Sequence, residues 1–227
     1  MSRTLTLLVC AVGLALVACG DDDSGSSAAA QSNRTEAKAG VRCSDVKSPA
    51  PKPDGGARKP KKELSPAKRY EVTLQTSCGD IAIRVDQKTS PKTAASFVSL
   101  ARSGFYDDTV FHRIVPDFVI QGGDPTGSGT GGPGYSVRDV PPGDATYTEG
   151  VVAMAKTAAE PPGTSGSQFY IVTAPDAGLP PEYALLGKVV RGLDVVHAIG
   201  RLGDPASGEA GTPLRPVVIE GTKIRES

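Results

Sequence analysis

The sequence predicts a mainly β fold, a closed eight-stranded antiparallel β-barrel capped by two α-helices. Three observations predict it. Glycine and proline number 27 and 19 in a chain of 227 residues, so about a fifth of the chain is turn-forming. Short alternations of apolar and polar residues recur between the turn formers, as half-buried strands require. Only two segments carry apolar residues at helical spacing. Aromatic residues make up 5% and Trp is absent, so Val, Ile, Leu and Ala must fill the core.

The elements follow in order. Tyr70, Val72, Leu74 and Thr76 alternate with polar residues, Cys78-Gly79-Asp80 turns the chain, and Ile81, Ile83 and Val85 alternate again. This is a hairpin. Ser90-Pro91 opens a helix, with Ser as N-cap and Pro in the first turn. Ala94, Phe97, Val98 and Ala101 recur at helical spacing, and Gly104 ends the helix. Short strands are expected near 110–114, 118–121, 151–154, 168–172, 186–190 and 217–220, and a second helix over 193–199. With the hairpin these make eight strands, and closing them into a barrel leaves no unpaired edge.

The N-terminus reads as an address followed by a spacer. Arg3 precedes an apolar run over 5–17, about 13 residues, short of the roughly 20 that a membrane-spanning helix needs. It fits the apolar part of a secretory signal over 1–18. The run ends in Leu16-Val17-Ala18-Cys19, which resembles a bacterial lipobox, so Cys19 is expected to carry lipid and anchor the exported chain to the cell membrane. The alternative is an ordinary signal cut near Ala18, with Cys19 incidental. Residues 19–68 hold few large apolar side chains and read as a flexible tether. Lys52, Arg58, Lys59, Lys61, Lys62, Lys68 and Arg69 make its end basic, against Asp54 and Glu63. That stretch is read as a solvated linker, with contact to anionic headgroups as the second option. The folded domain is placed at 69–227.

Composition and motifs exclude several chemistries. Formal net charge is zero, which gives nucleic acid no claim as a partner. None of the 4 cysteines forms a CxxC pair, so no zinc site is expected. Cys10 lies in the signal, and Cys43 and Cys78 remain; outside the cytoplasm they are expected to pair, the alternative being two free thiols. Gly127 to Gly132 matches G-x-G-x-x-G by letter, but Pro133 and Gly134 follow where a phosphate-binding helix would begin. The stretch is read as a permissive loop. No G-x-S-x-G elbow accompanies the 2 histidines, His112 and His197.

The informative stretch runs from Phe111-His112-Arg113-Ile114-Val115-Pro116-Asp117-Phe118 to Gln121-Gly122-Gly123-Asp124. Met154-Ala155 with Gly166-Ser167-Gln168-Phe169-Tyr170-Ile171 forms a second, and Leu179, Tyr183 and Leu186-Gly187-Lys188-Val189 a third. In order and approximate spacing the three resemble the cyclophilin family of peptidyl-prolyl cis/trans isomerases, over roughly residues 70–220. The resemblance implies an eight-stranded barrel, proline-containing polypeptides as substrates, and no cofactor or metal. It implies a catalytic role for Arg113, Gln121 and Phe118. Met154, Tyr170, Leu179 and Tyr183 are implied to form the pocket for the proline ring, with His112 packed behind Arg113. Tyr170 stands where Phe is usual, Lys156 where Asn is typical, and the segment 156–165 is longer than the usual loop. A non-catalytic module that holds proline-containing segments is the alternative function, and a monomer is the expected state.

Overall fold

A computed structural model describes residues 40–227. The expected signal over 1–18, the lipidated Cys19 and the tether as far as residue 39 lie outside the described residues.

Eleven strands form among the described residues. They are β1 (Tyr70–Thr76), β2 (Gly79–Val85), β3 (Thr109–Val110), β4 (Arg113–Val115), β5 (Val119–Gly122), β6 (Val137–Arg138), β7 (Val151–Met154), β8 (Thr164–Ser165), β9 (Phe169–Val172), β10 (Leu185–Arg191) and β11 (Val218–Glu226). Nine build one antiparallel sheet in the order β3-β11-β1-β2-β10-β7-β9-β5-β4, and β6 pairs with β8 apart from it. The closed eight-stranded barrel is therefore corrected to a curled nine-stranded sheet that stays open between β3 and β4. The single strand expected over 110–114 splits in two, because the chain leaves the ladder at Phe111-His112. Phe111 N donates to Val217 O at 3.0 Å, on the β11 side, whereas Ile114 N donates to Gly211 O at 2.7 Å. The free edge of β4 is thus covered by the turn Pro205–Ala210 and its cap Gly211, not by β3. A covered edge offers no row of unpaired groups to another chain.

Two helices close the core. α1 (Pro91–Arg102) buries Ala94, Phe97, Val98, Leu100 and Ala101, and α2 (Leu193–Gly200) buries Val195, Val196 and Ile199. Phe97 packs against Tyr106 and Phe169 with ring centroids 5.1 and 5.6 Å apart. Offset and edge-to-face rings at this range add to plain area burial. Ser90 stands at the N-cap as expected, but its side chain makes no cap bond. Asp139, from a distant loop, instead accepts from Thr93 N at 2.7 Å and satisfies the first turn. Gly104 ends α1 as expected, with φ +69°.

Over residues 40–68 the flexible tether is also corrected. This arm has no regular secondary structure, yet it belongs to the same compact unit as the sheet, Gly40–Ser227. Apolar burial alone does not hold it, although Val41, Cys43, Ala57 and Leu64 pack on the core. Ser44, Lys52, Gly55 and Ala57 each donate a backbone N–H to a carbonyl of the domain. The Lys52 ammonium donates to Gly104 O and Phe105 O, both at 3.1 Å, near the C-terminal end of α1. Cys43 and Cys78 are joined in a disulfide that pins the arm to the β1–β2 turn.

That cross-link spans 35 residues, a loop whose closure removes roughly 2–4 kcal/mol of denatured-state freedom. Reducing it is expected to lower unfolding free energy by about that amount and to make the peptide bonds of 44–58 protease-sensitive. Urea unfolding and limited proteolysis with and without reductant measure both effects.

Candidate active site

Strand pleating sorts the residues of the central sheet onto two faces. Arg113 pairs with Gln121, Gln121 with Tyr170, Tyr170 with Ala153, and Ala153 with Leu185. This row crosses five strands on one face. The next row on that face is Val115, Val119 and Val172. The intervening residues Ile114, Ile120, Phe169, Ile171, Val152 and Met154 turn inward and join the main core. On the outer face a second apolar cluster contains Val119, Tyr147, Ala153, Tyr170, Val172 and Ala174, with Phe118, Leu179 and Tyr183 packed against it.

A groove of about 490 Å³ opens over these rows. Arg113, Phe118, Gln121, Tyr170, Leu179 and Tyr183 all line it. Met154 does not. It is 1% exposed within the inner core, one residue out of phase with the site face. Its expected place in the pocket is corrected, and Ala155, the next residue in phase, lines the groove instead. Lys156, already singled out by its place in the motif, lines the groove too, and Val115, Val119 and Glu209, not singled out by the sequence, complete it. Strand parity could have found the two valines, since Val115 shares parity with Arg113 and Val119 with Gln121. Nothing local marks Glu209, which arrives from 96 residues away.

Arg113 is held on two sides. Its Nε donates to Glu209 O at 2.9 Å and its Nη1 to Gln121 Oε1 at 3.3 Å. Its Cζ lies 5.9 Å from the centre of the Phe118 ring, a cation–π distance. Partial burial pulls its pKa below the ordinary guanidinium value, opposed by Glu209 and Tyr183. A guanidinium nevertheless stays protonated in water. Both Nη2 hydrogens remain available to a bound molecule.

Gln121 is itself positioned. Its Nε2 donates to Gln168 Oε1 at 3.0 Å, and Gln168 Nε2 donates to Gly129 O and Gly131 O, each at 3.0 Å. The glycine-rich loop is therefore a scaffold for the site and not only a permissive connection. It winds around the buried carboxylate of Asp124. Gly129 N, Thr126 N and the Thr126 hydroxyl donate to that carboxylate at 2.6, 2.7 and 2.8 Å, and Gly131 N at 3.1 Å. A Cβ on Gly131 would fall 2.3 Å from Asp124 Oδ1, so only glycine fits there. Burial pushes the Asp124 pKa up, but these hydrogen bonds outweigh it and hold the carboxyl below its ordinary value. His112 sits beneath the loop with both ring nitrogens buried and unpartnered. Burial lowers its pKa, which favours the uncharged ring packed beneath the loop.

Tyr170 and Tyr183 line the groove, and the buried Tyr147 packs behind them. Tyr170 and Tyr183 meet edge to face at 5.7 Å, and Tyr147 lies 5.8 Å from Tyr183. The Tyr147 hydroxyl donates to Tyr183 O at 2.7 Å and accepts from Tyr183 N at 3.0 Å, which fixes the rim. The Tyr170 hydroxyl is buried without a partner, and burial pushes its pKa up. The long segment 156–165 is ordered by its own polar contacts. Lys156, its side chain 3% exposed, pairs with Glu182 at 3.0 Å and donates to Glu160 O at 3.2 Å. Glu160 in turn accepts from Thr157 N at 2.7 Å.

Comparison with known proteins agrees with this geometry. Residues 71–224 match the family model described as cyclophilin type peptidyl-prolyl cis-trans isomerase/CLD. The chain is 40% identical over 158 residues to the peptidyl-prolyl cis-trans isomerase CYP18-2 of Arabidopsis thaliana, covering 68% of this chain and 93% of that protein. It is 41% identical over 148 residues to the isomerase ppi1 of Schizosaccharomyces pombe, covering 63% of this chain and 94% of that one. A crystal structure of a Cryptosporidium parvum cyclophilin type isomerase superposes with a TM-score of 0.62 at 31% identity, covering 69% of this chain and 98% of that one. A second crystal structure of that protein, in the presence of the dipeptide Ala-Pro, superposes with a TM-score of 0.61 at 30% identity, covering 68% and 98%. This chain belongs to the cyclophilin-type peptidyl-prolyl cis-trans isomerase family.

Two outcomes follow from the buried polar groups. Removing the unpartnered hydroxyl with Tyr170→Phe is expected to raise unfolding free energy by about 1 kcal/mol, since an unsatisfied buried donor costs about 1–3 kcal/mol. Urea titration of the variant checks it. Asp124 has a folded pKa below its unfolded one, so its contribution is complete above about pH 4 and is lost as pH falls through the lower folded value. Asp124→Asn is expected to be less stable than wild type at pH 7 and to lose less stability between pH 5 and pH 2. Thermal unfolding across that range decides it.

Proposed function

We propose that this isomerase accelerates rotation about X-Pro bonds in exported polypeptides, with Arg113 as its central group, while lipidated Cys19 holds it at the extracytoplasmic face of the cell membrane. The observation that carries the reading is the Arg113 guanidinium, fixed by Glu209 O and Gln121 at the edge of an apolar groove.

The reaction makes and breaks no bond. Its barrier of about 18–20 kcal/mol comes from conjugation of the amide nitrogen with the carbonyl. Turnover in milliseconds, against tens of seconds or more uncatalysed, needs roughly 7 kcal/mol of relief. The site must therefore favour the twisted amide over both planar forms. Phe118, Val119, Tyr170 and Leu179 take the proline ring. The Nη2 hydrogens of Arg113 donate toward the prolyl nitrogen as its lone pair localises, which opposes conjugation in the twisted state only. Gln121 holds the guanidinium and the substrate backbone in register. No cofactor or metal enters this scheme, and a monomer is sufficient, since every group named comes from one chain.

Two features support the extracytoplasmic assignment. The run 5–17 ending at Cys19 has the form of a lipoprotein signal. The Cys43–Cys78 disulfide suits an oxidising compartment. A second reading, a module that binds proline segments without turning them over, draws on the polar Tyr170 hydroxyl in the floor of the groove.

Exchange NMR on a short Ala-Pro peptide tests the proposal. The chain is expected to accelerate cis/trans exchange, and Arg113→Ala to reduce kcat/KM by about 10²–10³-fold with an unchanged circular dichroism spectrum. Peptide binding without faster exchange would replace this reading by the second.

A further inference from the structure

The arm that precedes the family domain builds a basic groove. Lys59, Lys61 and Lys62 of the arm face Lys92 of α1 and Arg138 of β6 across a groove of about 740 Å³. Among the described residues only two acidic ones line it, Glu63 and Glu160. The groove therefore carries a net positive charge in a chain whose formal charge is zero. Among the described residues none of the five cations forms an ion pair. Lys59 Nζ and Arg138 Nε donate only to the backbone carbonyls Ser136 O and Pro162 O, both at 2.9 Å. Of the two acids, Glu160 has its Oε2 occupied by Thr157 N and the Thr157 hydroxyl at 2.7 and 2.9 Å.

Shared lining residues link this groove to the proline site. A middle groove of about 550 Å³ lies between them. It shares Gln121, Ala155 and Lys156 with the Arg113 groove, and Ser136 and Glu160 with the basic one. The arm is held at a fixed distance from its rim. Asp54 Oδ1 accepts from Gly132 N at 2.8 Å, Gly55 N donates to Gly132 O at 2.9 Å, and Ala57 N donates to Pro133 O at 3.1 Å. Residues 59–62 fall outside the stretch 71–224 that matches the family. Three of the five cations thus come from outside the matched stretch, and Lys92 and Arg138 from within it.

We infer that the basic groove is an extension of the substrate site that binds acidic side chains a few residues away from the isomerised proline. The inference rests on the isomerase reading of the Arg113 groove. The occupant is a polypeptide because the charge lies along a concave path that shared lining residues link to the proline site, and a planar lipid surface cannot enter it. A single-stranded nucleic acid would need aromatic platforms for its bases, and no aromatic residue lines this groove.

The test uses the full chain and three Ala-Pro peptides of equal length, flanked on both sides by Asp and Glu, by Ser, or by Lys. At low salt the acidic peptide is expected to bind about tenfold tighter than the Ser peptide, the sum of two or three exposed ion pairs. The Lys peptide is expected to bind more weakly than the Ser peptide. The acidic advantage should vanish near 0.5 M NaCl. The triple variant Lys61→Glu, Lys62→Glu, Lys92→Glu should lose the preference while kcat/KM on the Ser peptide stays unchanged. Equal affinity for the acidic and Ser peptides, or a triple variant that keeps the preference, overturns the inference. So does binding to phosphatidylglycerol vesicles that depends on the same lysines without any peptide preference. A Ser peptide that is neither bound nor isomerised would instead defeat the isomerase reading, so the two failures are distinct.

Discussion

The pleat of β4, β5, β9 and β7 divides this protein into a core and a working surface. Each strand contributes alternate residues to the two faces. A one-residue slip in any of them would carry Arg113, Gln121 or Tyr170 into the core and bring Ile114, Ile120 or Ile171 out. Register is therefore held by the cost of exposing the inner row, which is almost wholly buried. The same constraint explains why the site is a row and not a cluster of loops. Arg113, Gln121, Tyr170 and Ala153 stand side by side because their strands are paired in that register.

Polar contacts add precision to that row. The chain of contacts Arg113 to Gln121 to Gln168 ends on carbonyls of a loop wound around Asp124. Each link is a neutral or charge-assisted hydrogen bond of modest net worth, but the links share members, so loosening one loosens the next. The loop contributes through backbone groups that only its glycines allow to approach so closely. Gly131 shows this directly, since a Cβ would meet the carboxylate it helps to hold.

The arm shows how a segment without regular structure becomes part of a domain. It buries little apolar surface, so its order rests on the disulfide, the Lys52 contacts at the end of α1 and backbone hydrogen bonds to the Gly132–Pro133 stretch. Those last bonds join the arm to the glycine loop that also orients Gln168. Polar groups on the arm thereby brace a loop that lies beside the site, although they are remote from it along the chain.

Much of this protein was legible before any coordinates. The β1–β2 hairpin, both helices and most strands of the large sheet follow from local periodicity and from Gly and Pro punctuation, because the half-buried pleat and the helix face each impose a repeat on side-chain polarity, whereas β6, β8 and the break at Phe111-His112 do not. Arg113, Phe118, Gln121, Tyr170, Leu179 and Tyr183 were identifiable from three motifs, and they line one groove. Long-range packing decided the rest. Whether the sheet closes depends on what covers the edge of β4, and that is Gly211, nearly a hundred residues away. Met154 was misassigned because an apolar residue beside the site and one behind it read alike until pairing register sets the parity. The arm read as a free tether because composition reports apolar burial and not hydrogen bonds to distant carbonyls. Local residue type determined most of the elements and marked six of the residues that line the groove. Tertiary structure alone decided which face each residue takes and what seals the sheet, because those depend on contacts between segments with no common local pattern.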